Sequence, residues 1–177
     1  MVNAYFSPLC TPYYDNQYPA VGTFSSSAVK DLILHPNLFN LSYINSFELW
    51  NKGYTTTGTN NNTVCKTIQN PSPESYVESA IAAFSGLTSS NVNGAFDKGW
   101  TFYCQPSHQG STIFFRALGY RAYQSGAIAC VENGGPYWSS TPSSSYSSAK
   151  LLDFYPSYIA LYEDPRSFGF PLRPILK

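Results

Sequence analysis

Among the 177 residues of this chain, side chains able to attack, cut or ligate are few and scattered. His108 follows Cys104 by four positions and Ser111 comes soon after, a spacing at which an imidazole could activate a thiol or a hydroxyl. Such chemistry also needs a strand-turn-helix elbow and a glycine-built oxyanion hole, and neither pattern accompanies these residues. A histidine in the loop sequence "QPSHQGS" has an ordinary solvated reading. His35 and His108 lie far apart with no HxxxH or carboxylate spacing, so no metal site is expected. Glu163 and Asp164 form a carboxylate pair of the sort glycoside hydrolysis uses, yet neighbours on a strand point to opposite faces. Cys10, Cys65, Cys104 and Cys130 are too irregularly spaced for a zinc ribbon or a CxxC redox pair. Disulfide bridges and free thiols both stay open, with at least one bridge favoured if the protein is exported. The chain is therefore expected to be no enzyme, with no catalytic residue, no metal and no cofactor.

What the sequence has in quantity is tyrosine, 15 in all, together with serine, threonine and asparagine. Amphipathic rings and short hydroxyls are the chemistry of recognition surfaces. Charge is sparse: 11% of residues, with ten basic side chains against ten acidic ones. Without a basic field, nucleic acid and anionic membranes are poor partners. No apolar run reaches membrane-spanning length, so no membrane span is expected. Met1 to Ala20 lacks a basic start followed by an apolar core, which predicts no secretory signal in this stretch. At 43% hydrophobic and 17% aromatic, the chain has apolar material for one sizeable core, and residues 1–177 are expected to form one domain.

These residues must be positioned by elements of two textures. Ser25 to Ser27 could cap a short helix over Ala28 to Leu34, stopped before Pro36. "PESYVESAIAAFSGL" (Pro73 to Leu87) carries Val77, Ile81 and Phe84 at helical spacing with Gly86 as a stop, which predicts a second helix. From Trp100 onward the pattern changes to short β-branched and aromatic runs broken by Gly, Pro and Ser, the mark of small antiparallel strands joined by long loops.

"LWNKGYTTTGTNNNTVCKTIQNPSP", "SSNVNGAFDKGWTFYC", "TIFFRALGYRAYQSGAI", "PYWSSTP" and "RSFGFPLRPI" occur in this order between Leu49 and Ile175. Together they resemble successive blocks of the C-terminal domain of Bacteroidetes fimbrillin-like surface proteins, related to the Fibrobacter major paralogous domain. The resemblance implies an α+β, C-type lectin-like fold with two short helices, small antiparallel sheets and extensive loops. It further implies an exported domain at the cell surface, of adhesin type, at a pilus tip or on a lipoprotein. The partner would be a protein or glycan on another cell or host surface, with pilus subunits as further neighbours. A structural module without a ligand, or a phage receptor-binding tip, are the alternatives. "NPSPES" replaces the usual Asp-Pro-Cys-Pro-Ala-Gly turn, and Arg116 stands in "FFRA" where "FFPA" is common. The calcium-binding triplets of sugar-binding C-type lectins are missing, so calcium-dependent sugar binding is not implied.

In some proteins of this fold a diversity-generating retroelement rewrites the C-terminal region, leaving Ser, Tyr, Asn, Asp, Leu and Phe at exposed positions. The segment from Ser143 to Phe168 is rich in these types, and seven of the ten residues from Ser139 to Ser148 are serine. The alternation in "AKLLDFY" puts Leu152 and Phe154 on one face of a strand, with Leu151, Asp153 and Tyr155 on the other. The expected ligand-binding face is Ser145, Tyr146, Leu151, Asp153, Tyr155, Tyr158, Tyr162, Glu163, Asp164 and Phe168. Leu152, Phe154, Phe170 and Leu172 are expected inside. Trp138 reads as a core anchor, and Arg166 and Arg173 as residues that hold loops through carbonyl oxygens.

Overall fold

A computed structural model describes residues 72–105, 108–143 and 148–176, together with Cys65 and the short strands at 21–22 and 39–40. In chain order the strands are β1 (Val21–Gly22), β2 (Phe39–Asn40), β3 (Tyr76–Glu78), β4 (Gly99–Gln105), β5 (His108–Arg116), β6 (Tyr120–Arg121), β7 (Ile128–Ala129), β8 (Tyr137–Pro142), β9 (Ser148–Tyr155), β10 (Tyr158–Pro165) and β11 (Pro174–Leu176). Two 3₁₀ turns, Ile81–Phe84 and Ser89–Asn91, are the only helical elements among the described residues. The fold is β-rich, which overturns the α+β, C-type lectin-like architecture with two helices.

The helix expected over Pro73 to Leu87 is a strand followed by a single 3₁₀ turn. Val77, Ile81 and Phe84 are all buried, so their spacing did mark an inward face. The segment meets its backbone needs elsewhere, however. β3 pairs antiparallel with β11, Ala80 is extended at ψ 155°, and the Ile81 amide donates to Thr141 Oγ1 at 2.9 Å. Tertiary partners claim the amides that a helix would have used internally. The other expected helix, Ala28 to Leu34, lies outside the described residues.

The main sheet has the order β10-β9-β8, all antiparallel, and β9 is its middle strand. Leu151 and Leu152 are both fully buried although consecutive strand residues point to opposite faces. Both faces of the sheet must therefore be covered. On one side Tyr137, Leu152 and Phe154 join Ile81, Phe84, Phe102 and Phe115 in the main core. Edge-to-face rings knit it together: Phe115 lies 5.8 Å from Phe102 and 5.2 Å from Tyr137, centroid to centroid. On the other side Trp138, directly across from Leu151, packs on Phe170 at 4.6 Å. Phe168 and Tyr120 extend that second layer, with Phe168 stacked 4.9 Å from Phe170. The chain reaches this position because the Trp138 amide donates to the Pro171 carbonyl, and because Arg121 and Gly169 exchange amide hydrogen bonds.

Polar residues inside this sandwich are hydrogen-bonded. Ser139 Oγ donates to the Lys150 carbonyl at 2.7 Å, and Ser143 Oγ to Glu163 at 2.6 Å. Ser139, Thr141 and Ser143 are almost completely buried, so the described part of the serine tract ties strands together rather than displaying hydroxyls. Gly135 is required by contact: a Cβ there would sit inside the Phe154 ring.

Two truncations check this arrangement. Phe154→Ala should cost about 3–5 kcal/mol and Leu151→Ala about 2–5 kcal/mol, because each opens a cavity in a different layer. Urea unfolding measures both, and a Leu151→Ala cost below about 0.5 kcal/mol, typical of surface positions, would contradict the two-layer arrangement.

Candidate functional site

The register of β9 against β10 decides which side chains share a face. Tyr155 lies opposite Tyr158, Asp153 opposite Ala160, Leu151 opposite Tyr162 and Ala149 opposite Asp164. Directly opposed residues of an antiparallel pair point the same way, so Asp153, Tyr155, Tyr158, Tyr162 and Asp164 share the Trp138 face. The aromatic layer of Phe168 and Phe170 covers that face around Trp138, while the outer strand β10 leaves Tyr158 44% and Tyr162 59% exposed. The hairpin joining β9 to β10 turns through Pro156 and Ser157 alone, which fixes this register.

The small methyl of Ala160 leaves room for a diagonal contact across Asp153. Tyr158 donates its hydroxyl to Asp153 Oδ2 at 2.5 Å, and its ring stacks on Tyr155 with centroids 5.2 Å apart. Tyr155 donates in turn to Cys130 Sγ at 3.4 Å, and its backbone carbonyl accepts from Trp100 Nε1 at 3.0 Å. Gly134 lets the Tyr155 ring lie flat against the chain, since a Cβ there would come 2.8 Å from the ring. Cys130 has φ 58°, a left-handed conformation that orients the turn following β7.

Burial governs the ionisation of this face. It raises the Asp153 carboxyl above its usual range, against hydrogen bonds from Tyr158 and the Phe154 amide that pull it down. Burial and then the charge of Asp153 push Asp164 up to about 6. The Tyr158 phenol is raised by burial, by its hydrogen bond to Asp153 and by the nearby carboxylates. Tyr155 and Tyr120 are raised first by burial and then by Cys130. Glu163, on the opposite face, behaves differently. The Ser143 hydroxyl and Lys150, whose Nζ lies 3.1 Å from Glu163 Oε1, hold its carboxyl below the usual range.

Of the ten residues expected to bind ligand, the structure gathers Asp153, Tyr155, Tyr158, Tyr162 and Asp164 on one face. Leu151 shares their parity but is fully buried, and it must be removed from the exposed set. The alternation was correct; what failed was the assumption that only one face of β9 is covered. Glu163 is exposed but points to the other side, and Phe168 is half-buried between Tyr120, Tyr123 and Phe170. Ser145 and Tyr146 lie outside the described residues. Of the residues expected inside, Leu152, Phe154 and Phe170 are buried, whereas Leu172 is half-buried. Arg166 Nε donates to the Ser148 carbonyl at 2.9 Å, and Arg173 donates to the Phe114 carbonyl at 2.6 Å while lying over the Phe115 ring. Sequence reasoning missed Tyr120 and Cys130, which border the site from β6 and the turn after β7. Their signal was "GYRAYQSGA", a turn-rich pairing of two short strands.

Cys104 and Cys130 are free thiols, and Cys10 lies outside the described residues. No group of three or more His, Cys, Asp or Glu side chains able to hold a metal occurs among the described residues. Of the two histidines, His35 lies outside them and only the backbone of His108 is described, in β5. A family described as a domain of unknown function, DUF8237, matches residues 97–175, a span that contains every residue of this face. No curated protein and no solved structure matches the chain.

The carboxyl of Asp164 gives a pH test with a definite sign. Its folded pKa of about 6 lies above the ordinary 3.8, so the folded chain holds this proton more tightly than the unfolded one. The associated stability is complete below pH 3.8 and is lost as pH rises through about 6. The melting temperature should therefore rise between pH 7.5 and pH 5, and Asp164→Asn should flatten that rise while raising the melting temperature at pH 7.5. An identical slope in the variant would contradict the burial of this carboxyl.

Proposed function

We propose that this chain is a ligand-recognition domain of adhesin type, exported and displayed at a cell surface, and that the tyrosine-aspartate face of β9 and β10 is its contact surface. Binding without chemical turnover is the activity. The observation that carries the reading is the pair Tyr158 and Tyr162, 44% and 59% exposed on an outer strand beside two half-buried carboxylates. Tyrosine offers a large contact area with few rotors to freeze, and the bond from Tyr158 to Asp153 immobilises one ring in advance. The ordered sequence blocks that resemble fimbrillin-like surface proteins support placement at a pilus tip or on a surface lipoprotein. The Ser-, Tyr- and Asp-rich composition from Ser143 to Phe168 supports a surface that varies between copies.

Fluorescently labelled whole chain, measured by flow cytometry on epithelial and bacterial cells, tests this reading. Tyr162→Ala should weaken cell binding about tenfold or more, as loss of a central aromatic anchor does. Its unfolding free energy should change by less than about 0.5 kcal/mol. Undiminished binding by Tyr162→Ala and Tyr158→Ala, both folded, would remove this face as the contact surface.

A further inference from the structure

The two faces of the β9-β10 pair treat their acids in opposite ways. On the Leu152 face, Glu163 lies directly across from Lys150 and forms an ion pair with it at 3.1 Å. On the Trp138 face, Asp153 and Asp164 lie across from Ala160 and Ala149, side chains that offer neither charge nor hydrogen bond. Among the described residues no lysine or arginine pairs with either aspartate. Asp153 accepts one bond from Tyr158 and one from the Phe154 amide, which leaves acceptor capacity on a carboxylate with about four lone-pair sites. Beside these acids lie the stacked rings of Tyr155 and Tyr158, with Tyr162 exposed on the same strand. Carboxylates and tyrosine ring faces are both attractive to cations, and partial burial strengthens each attraction.

We propose that Tyr155, Tyr158 and Tyr162, with the carboxylates of Asp153 and Asp164, form a site for an organic cation, the guanidinium or ammonium of an arginine or lysine side chain on a protein ligand. The inference rests on the recognition reading above and names the chemistry of the group recognised. Charge complementarity selects the occupant: two acids close enough for one to raise the ionisation of the other lack a neutralising partner within the described chain. An arriving cation supplies it. The sequence carries no net charge, so the attraction belongs to this site and not to the molecule as a whole.

The test is a titration of ¹⁵N-labelled whole chain at pH 7.5 with N-acetyl-arginine amide, followed by amide chemical shifts. N-acetyl-citrulline amide, of the same shape without the charge, serves as the control. The expected result is shifts concentrated in residues 151–164 with the arginine compound and absent with citrulline. Asp153→Asn and Asp164→Asn should each weaken the interaction about fivefold or more, since each removes a charge. The Asn side-chain oxygen at position 153 can still accept from Tyr158, which preserves the ring geometry. Equal shifts with citrulline, no shifts in this segment, or full affinity in both folded variants would each overturn the inference. If cell binding depends on Tyr162 but is unchanged by Asp153→Asn and by excess arginine amide, the cation site fails and the recognition face stands. Cell binding indifferent to Tyr158 and Tyr162 would remove the face itself.

Discussion

Burial of β9 on both sides is the constraint on which the rest of the structure depends. Two consecutive leucines, Leu151 and Leu152, are fully removed from solvent, and the pleat sends them in opposite directions. Neither layer alone could accomplish this. The main core supplies Phe102, Phe115 and the 3₁₀ turn at Ile81–Phe84, while the closing segment around Phe168 and Phe170 supplies the second layer. The β3-β11 pair returns the C-terminal end of the described chain to the same sheet system. Close approach then dictates small residues at particular places, as with Gly135 against Phe154. At Gly119, φ is 68° and a Cβ would strike the Ala129 carbonyl.

The same constraint locates the recognition face. Central residues of the sheet are claimed by packing, so only the outer strand β10 and the final residues of β9 have side chains free to meet a partner. Asp153 and Asp164 sit at that boundary, half-buried beneath aromatic neighbours, and their raised ionisation follows from partial loss of water. Tyr158 is drawn to Asp153 by the short hydrogen bond and stacked on Tyr155, which in turn reaches Cys130. A chain of contacts thus runs from the turn after β7 through two rings to a carboxylate. The rings at the surface are supported by the fold beneath them, and so are ordered before any ligand arrives.

Much of this was legible in the residues, and the failures have physical causes. "AKLLDFY" announced a strand by its alternation, and Leu152, Phe154 and Phe170 are indeed inside. Leu151 was misread because its cover comes from residues near Phe170 in a distant segment, which no local pattern reveals. The spacing of Val77, Ile81 and Phe84 suits a helix, but a strand leading into a 3₁₀ turn buries the same three side chains. Composition could not distinguish them; the long-range pairing with β11 did. Serine misled in a different way: Ser139 and Ser143 serve as internal hydrogen-bond donors, a role set by partners far along the chain. The tyrosines of β10 were readable because they fall on a strand with only one described neighbour.

Hydroxyl-radical footprinting read by mass spectrometry, on whole chain free and bound to the cells that capture it, tests the central claim most directly. In the free chain Tyr158 and Tyr162 should oxidise readily while Tyr137, Trp138 and Phe154 stay protected, and binding should protect Tyr158 and Tyr162 selectively. Oxidation of Trp138 and Phe154 before the β10 tyrosines, or β10 tyrosines equally reactive free and bound, would contradict a doubly covered β9 carrying its recognition surface on the adjoining strand.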